Sequence, residues 1–253
     1  MRKIPTKATL DGDILVYHTA FWAEANNPDL FPNKLKSLIK NWTPEGVDSI
    51  NIALSCSRSD NFRRNEWPKY KSNREDLYIP EYLDDVREYI RENYKTKELP
   101  SLEADDILGI YTSSNQSIAV TIDKDLKGVQ GWHFNPAKDK ELRYVPKDDA
   151  YRFFCTQWMT GDSTDGIPGL WRIGPKKAEQ FLSEWNKDDW EKNIIELYDT
   201  DKHRIKDSCG IDHPEIAIVM ARCVKILSNA DYKLRKKEIK LWTPEESGYK
   251  DKE

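Results

Sequence analysis

The chain has 253 residues, 38% hydrophobic and 11% aromatic, which is too apolar for a disordered segment and enough for one large α/β domain or a main domain with a helical annex. A formal net charge of −4 excludes a uniformly basic nucleic-acid coat but leaves room for segregated patches of either sign. The four cysteines (Cys56, Cys155, Cys209, Cys223) form no C-x-x-C pair and have no histidine at zinc spacing, so they read as reduced thiols. No apolar run is long enough to span a membrane and no signal peptide is evident, which predicts a soluble cytoplasmic protein without membrane contact.

In chain order, residues 8–11 (A-T-L-D) read as a short strand ending in an acid, and 13–23 as a helix. Leu35, Leu38, Ile39 and Trp42 recur at helical spacing, which predicts an amphipathic helix over 33–42, and 47–55 reads as a second strand. Residues 56–80 turn polar and basic, with Arg58, Arg63, Arg64, Lys69, Lys71 and Arg74 set among Phe62, Trp67 and Tyr70. Pro80 is expected to open a helix with Leu83, Val86 and Ile90 on one face. Residues 102–111 read as another helix, 117–122 as a buried strand, and 131–135 with 142–146 as a hairpin. From 147 onward, helices near 148–159, 175–185, 188–198 and 214–228 are separated by turn signals. Strand–helix alternation followed by helices predicts an α/β fold: a central, mostly parallel sheet with helices on both faces over 1–146, then a helical region over 147–253. The charge-rich tract 233–240 reads as solvated surface, with a phosphate contact as the alternative.

Four acidic clusters stand out. Asp11-Gly12-Asp13 lies at the carboxyl end of the first strand, where open α/β sheets bind ligands, although Asp13 equally suits a helix cap. Glu103-Ala104-Asp105-Asp106 puts three acids in four residues; Glu103 and Asp106 share a helix face, and the helix dipole alone would favour them there. Asp123-Lys124-Asp125 directly follows a strand, so alternation points both aspartates to one side, unless the segment is merely a turn. Asp162 and Asp165 sit in a Gly-bounded loop; Ile173-Gly174-Pro175-Lys176-Lys177 then feeds a helix whose start can bind phosphate. Each cluster has an ordinary explanation. Together they exceed what one cation needs and suit two divalent ions clamping a phosphodiester. Lys71 and Arg74, at i,i+3 beside Tyr70, would stabilise charge on the phosphoryl group, and the ring can stack on an unpaired base; a solvated basic helix is the alternative.

These pieces resemble the structure-specific 5′-nuclease (flap endonuclease) family, which includes the 5′-nuclease domain of bacterial DNA polymerase I and phage 5′→3′ exonucleases. The matching segments are L-D-G-D, N-F-R-R-N-E-W-P-K-Y-K-S-N-R, L-E-A-D-D, T-I-D-K-D-L and M-T-G-D-S-T-D-G-I-P-G-L-W-R-I-G-P-K-K-A, in the family's order across 8–182. M-A-R-C-V-K-I-L and K-E-I-K-L-W are similar to the end of small phage members. The resemblance implies a PIN-like 5′-nuclease core with a basic arch or gateway at about 56–94. It also implies a helix–three-turn–helix at about 161–182 that grips duplex backbone, and a C-terminal tail packing back on the core. By matching position, Asp11, Glu103, Asp105, Asp106, Asp123, Asp125, Asp162 and Asp165 would be metal-site acids, the last two at a looser second site. Lys71 and Arg74 would contact the scissile phosphate, with Asp11, Asp123 and Asp125 completing the catalytic set, and Tyr70 would assist unstacking. Arg63, Arg64, Ile173, Gly174, Lys176 and Lys177 would bind DNA. The implied cofactors are two or more Mg²⁺, replaceable by Mn²⁺, and K⁺ at the helix–three-turn–helix. The implied partner is DNA at 5′ ends, flaps and duplex, or an RNA–DNA hybrid, acted on by a monomer, in the host cytoplasm for a phage protein. The sequence departs from the family in three places: Cys56 stands where an acid is usual, with Asp60 nearby; His18 stands where many members have Arg; and Trp171-Arg172 replaces a common Pro-Gly.

Three other readings share some of these features. A haloacid-dehalogenase-like phosphatase would use Asp11 as nucleophile but leaves the E-A-D-D, D-K-D and I-G-P-K-K segments unexplained. A non-catalytic DNA-binding module would have no need for the intact carboxylates. A PIN-type ribonuclease would lack the hairpin at 161–182.

Overall fold

The computed structural model describes residues 3–211 and 215–244, and their side chains apart from those of 207–209. Contacts divide the chain into two compact units. The first comprises residues 1–61, 77–149 and 226–239; the second comprises 62–76, 150–225 and 240–253. The basic stretch is therefore shared: 62–76 folds with the helical unit and 77–94 with the sheet.

In the first unit, β1 (Lys7–Asp11) leads directly into α1 (Gly12–Ala25), followed by α2 (Phe31–Trp42) and β2 (Ser49–Ala53). Gly12 is required because a Cβ there would collide with the Ala53 carbonyl, so α1 could not start against β2. After α3 (Phe62–Glu66), which belongs to the other unit, come α4 (Leu83–Asn93), β3 (Thr96–Lys97) and α5 (Ala104–Ser113). The sheet is completed by β4 (Ile118–Val120), β5 (Gly131–Phe134) and β6 (Arg143–Val145). Strand order is β3-β2-β1-β4-β5-β6, parallel except for the antiparallel β5–β6 hairpin. The mostly parallel sheet and the hairpin are as the sequence predicts. Pro80 does not itself start a helix; its carbonyl accepts the Leu83 N–H, and α4 begins one turn later.

Alternation along β1 and β2 divides the sheet. Ala8, Leu10, Ile50 and Ile52 pack with α1, α2 and α4, through Leu15, Val16, Leu35, Ile39, Val86 and Ile90. The opposite face carries Lys7, Thr9, Asp11, Ser49 and Asn51, which are polar where central parallel strands are usually apolar. The segment 226–239 contains the hairpin β7 (Tyr232–Lys233) and β8 (Glu238–Ile239) and is tied to α5, whose Asp106 accepts the Leu227 N–H at 3.0 Å.

In the second unit, α6 (Lys147–Thr160) precedes the loop 161–174, followed by α7 (Pro175–Glu184), α8 (Trp190–Cys209) and α9 (Ile216–Val224). Its core gathers Trp67, Tyr70, Trp158, Met159, Leu182, Ile194, Tyr198 and Met220. Gly161 adopts φ +65°, and a Cβ there would strike the Gly169 backbone, so the loop's two arms meet at glycine. α8 continues well past the expected 198 because Tyr198 and Ile205 keep the buried spacing; Gly210 at φ +69° ends it. Residue 214, the expected start of the following helix, and residues 245–253 of the expected tail lie outside the described residues. Among the described residues, no helix is long and apolar enough to cross a membrane.

Candidate active site

β1 lies between β2 and β4, where the chain's strand order reverses, and a crevice forms at the carboxyl ends of such strands. Asp11 ends β1 there and is 3% exposed. Its Oδ1 accepts the Ile14 N–H at 3.2 Å and its Oδ2 accepts the Thr121 hydroxyl at 2.8 Å. Asp11, and not Asp13, is therefore the cap of α1. Thr121 Oγ1 also accepts the Asp123 N–H at 3.0 Å, and Asp123 Oδ1 accepts the Asp125 N–H at 2.8 Å. One threonine thus joins the acids of two neighbouring strands. Burial, then the charges of Asp13 and Asp123, push the Asp11 carboxyl up to about 7, against the pull of its two hydrogen bonds. A nearby cation would relieve that repulsion.

Asp13 lies in the first turn of α1. It accepts from the backbone and hydroxyl of Ser55 and pairs with Arg87 at 3.0 Å. Ser55 Oγ in turn accepts the Ala104 N–H at 2.8 Å, so this network fixes the start of α5. Glu103 is the N-cap of α5, Asp105 is in its first turn, and Asp106 is fully buried. Asp106 Oδ2 accepts the Glu103 N–H at 3.2 Å while Oδ1 accepts from Leu227, so both oxygens serve backbone amides. Cys56 occupies the place of the usual acid, and burial followed by the charges of Glu103, Asp60, Asp106 and Asp13 raises its thiol to about 11. Asp60 is exposed and engaged by Ser57 and Ser59. Among the described residues, no three Asp, Glu, Cys or His side chains converge closely enough to ligate one ion by themselves. The oxygen-rich, self-repelling set fits hard cations held partly through water. A cavity of about 140 Å³ beside Asp123 is rimmed by Lys124, Lys127, Lys138 and Arg143, which the sequence did not single out.

In the second unit, Asp165 gathers the predicted cations. Arg74 forms an ion pair with its Oδ1, Lys71 Nζ lies 3.7 Å from its Oδ2, and Tyr70 donates its hydroxyl at 3.2 Å. Asp162 Oδ1 accepts the Thr164 N–H at 2.8 Å. Two expectations need correction here. Tyr70 is 2% exposed within the core, so its ring offers no face to a base. Arg63 is also 2% exposed and donates to the carbonyls of Cys223 and Lys225, holding the end of α9 instead of contacting DNA. Arg64 reaches Glu75 at 3.4 Å. Ile173 is half-buried, while Gly174, Lys176 and Lys177 are exposed at the start of α7, and Pro175 opens the helix as predicted. Arg172 takes φ +55°, the left-handed turn conformation that glycine adopts without cost.

No family model matches the chain. Over 225 residues, 76% of this chain and 73% of the relative, it is 28% identical to the exodeoxyribonuclease of Enterobacteria phage T3. It is 31% identical over 179 residues to DNA polymerase I of Rhizobium leguminosarum, which covers 61% of this chain but 17% of that polymerase. Its fold matches the T5 D15 protein co-crystallised with metal ions, at a TM-score of 0.60 with 17% identity, over 86% of this chain and 93% of that one. The resemblance carried by the acidic and basic motifs is thus borne out: the chain is a homologue of phage exonucleases and of bacterial DNA polymerase I, with the fold of a phage T5 5′-nuclease.

Proposed function

We propose that the chain is a divalent-metal-dependent 5′→3′ exonuclease and flap endonuclease that hydrolyses phosphodiesters near the 5′ ends of duplex DNA, leaving 5′-phosphates. The observation that carries this reading is the pairing of Asp11 and Asp123 through Thr121 at the carboxyl ends of adjacent parallel strands. The exonuclease named among its relatives and the metal ions named in the T5 structure support the same reading.

Asp11, Asp123, Asp125, Glu103 and Asp105 would hold Mg²⁺ or Mn²⁺, with Asp106 shaping the set through its backbone bonds; Asp162 and Asp165 would form a second, looser site. The ions would lower the pKa of the attacking water and stabilise charge on the phosphoryl oxygens. The Asp165 pairing suggests how the basic pair is stored: Lys71 and Arg74 are pre-oriented by a carboxylate and would exchange it for the scissile phosphate. The exposed start of α7, with Gly174, Lys176 and Lys177, would bind duplex backbone, and the turns before it would take K⁺.

The test is cleavage of 5′-labelled duplex, flap and RNA–DNA substrates by the protein with Mg²⁺ and with chelator. Cleavage should require the metal, and Asp123→Asn should abolish turnover while DNA still binds. Turnover that persists in chelator would sink the scheme.

A further inference from the structure

The polar sheet face does not stop at Asp11. Beside the last turns of α5 it opens, within the first unit, into a cavity of about 440 Å³ that runs from the amino ends of β1 and β2 to Lys97 on β3. This volume lies in the range of small-ligand sites, about 300–1,000 Å³. Lys3, Lys7, Lys95 and Lys97 line it, with Asn51 and Tyr111. Among the described residues, no Asp or Glu lines it and none of the four lysines is ion-paired. Lys97 registers opposite Ala53, so it shares the face of Asn51, and Lys7 registers opposite Ser49. Lys97 Nζ lies 5.4 Å from the centre of the Tyr111 ring. Asn51 Oδ1 is buried with no hydrogen-bond partner among the described residues. At Lys7 the pocket is about 13 Å from Asp11 along β1, and at Lys97, level with Ala53 and Asp11, it is two strands or about 10 Å away; no acid of the crevice lines it.

Four lysines and no acid around one concavity give it a positive potential that favours an anion. The Tyr111 ring is a feature that a base can use and inorganic phosphate cannot. A recess also suits a small ligand better than the broad strip a duplex backbone follows. We propose that this pocket is a nucleotide-binding site, with the phosphate on the lysines and the base against Tyr111 and Asn51. It is separate from the nuclease centre and does not rest on the nuclease reading.

Equilibrium binding of dAMP in the presence of chelator, which keeps metal-bridged phosphate out of the acidic site, tests it without requiring cleavage. Saturable binding is expected, at least tenfold tighter than that of inorganic phosphate. Lys7→Glu combined with Lys97→Glu should weaken it tenfold or more, whereas Asp123→Asn should leave it unchanged. Bound dAMP should also protect Lys7 and Lys97 of the unaltered protein from acetylation, a readout independent of how the variants fold. The proposal is overturned by any of four results: no saturable binding, equal affinity for phosphate, loss of binding in Asp123→Asn instead, or a lysine variant that weakens duplex binding while dAMP binding is unaffected.

Discussion

Asp11 is both a helix cap and a strongly perturbed acid of the crevice. Because its folded pKa is raised to about 7 from an ordinary 3.8, the folded protein holds a proton that the unfolded chain has already released. The stability linked to that proton is present below pH 4 and is lost as pH rises through 7. Chelator-treated protein should therefore be more stable at pH 6 than at pH 8 by about 1.4 kcal/mol, a few degrees in melting temperature. Asp11→Asn should remove that difference. A melting temperature that rises from pH 6 to pH 8 in the parent, with no change in Asp11→Asn, would show that the carboxyl is not protonated in the fold. Lys71, stored against Asp165, is expected to act mainly in the transition state. Lys71→Ala should lower kcat about 100-fold with a smaller effect on DNA affinity. Single-turnover rates with separately measured binding would reveal the opposite pattern if Lys71 only holds substrate.

α5 depends on Asp106 at both of its ends of contact. The carboxylate caps the helix start through Glu103 and fastens the 226–239 segment through Leu227. Truncation would strand two backbone donors, each costing about 1–3 kcal/mol when buried. Asp106→Ala should accordingly lose about 3 kcal/mol in urea unfolding, and Asp106→Asn, which keeps one acceptor, roughly half as much. If both variants unfold like the parent, the acid is not structural. The same logic explains Arg63. Sequence grouped it with the basic surface, but α3 turns it inward onto the end of α9, where exposed carbonyls of a helix C-terminus need donors.

For the protein as a whole, a net charge of −4 gives no hint of a polyanion partner, yet lysines cluster at the start of α7 and around the two cavities. Duplex affinity should fall with salt as phosphate contacts release counterions. Replacing Lys176 and Lys177 together by Ala should flatten the slope of log affinity against log salt by about 2, since each phosphate contact contributes about 0.9. Anisotropy titrations at several salt concentrations measure this, and an unchanged slope would remove α7 from the interface.

Much of this protein is legible in its residues because the signals are local. Alternation in K-A-T-L-D and S-I-N-I-A marks strands, Pro175 marks a helix start, and acids after strands mark the crevice of a parallel sheet. The order of the motifs was enough to point to the similarity with phage exonucleases and bacterial DNA polymerase I. What composition and spacing could not reveal is which side chain faces inward. Tyr70 and Arg63 look like surface groups because charges surround them in sequence, but burial is decided by the helices that close over them. The bonds of Thr121, Ser55, Arg87 and Asp106 join positions tens of residues apart or more, and no spacing rule predicts them. Four lysines scattered from Lys3 to Lys97 become one pocket because β1, β2 and β3 lie side by side in the sheet. Secondary structure follows from neighbours in the chain, whereas electrostatic environment follows from neighbours in space.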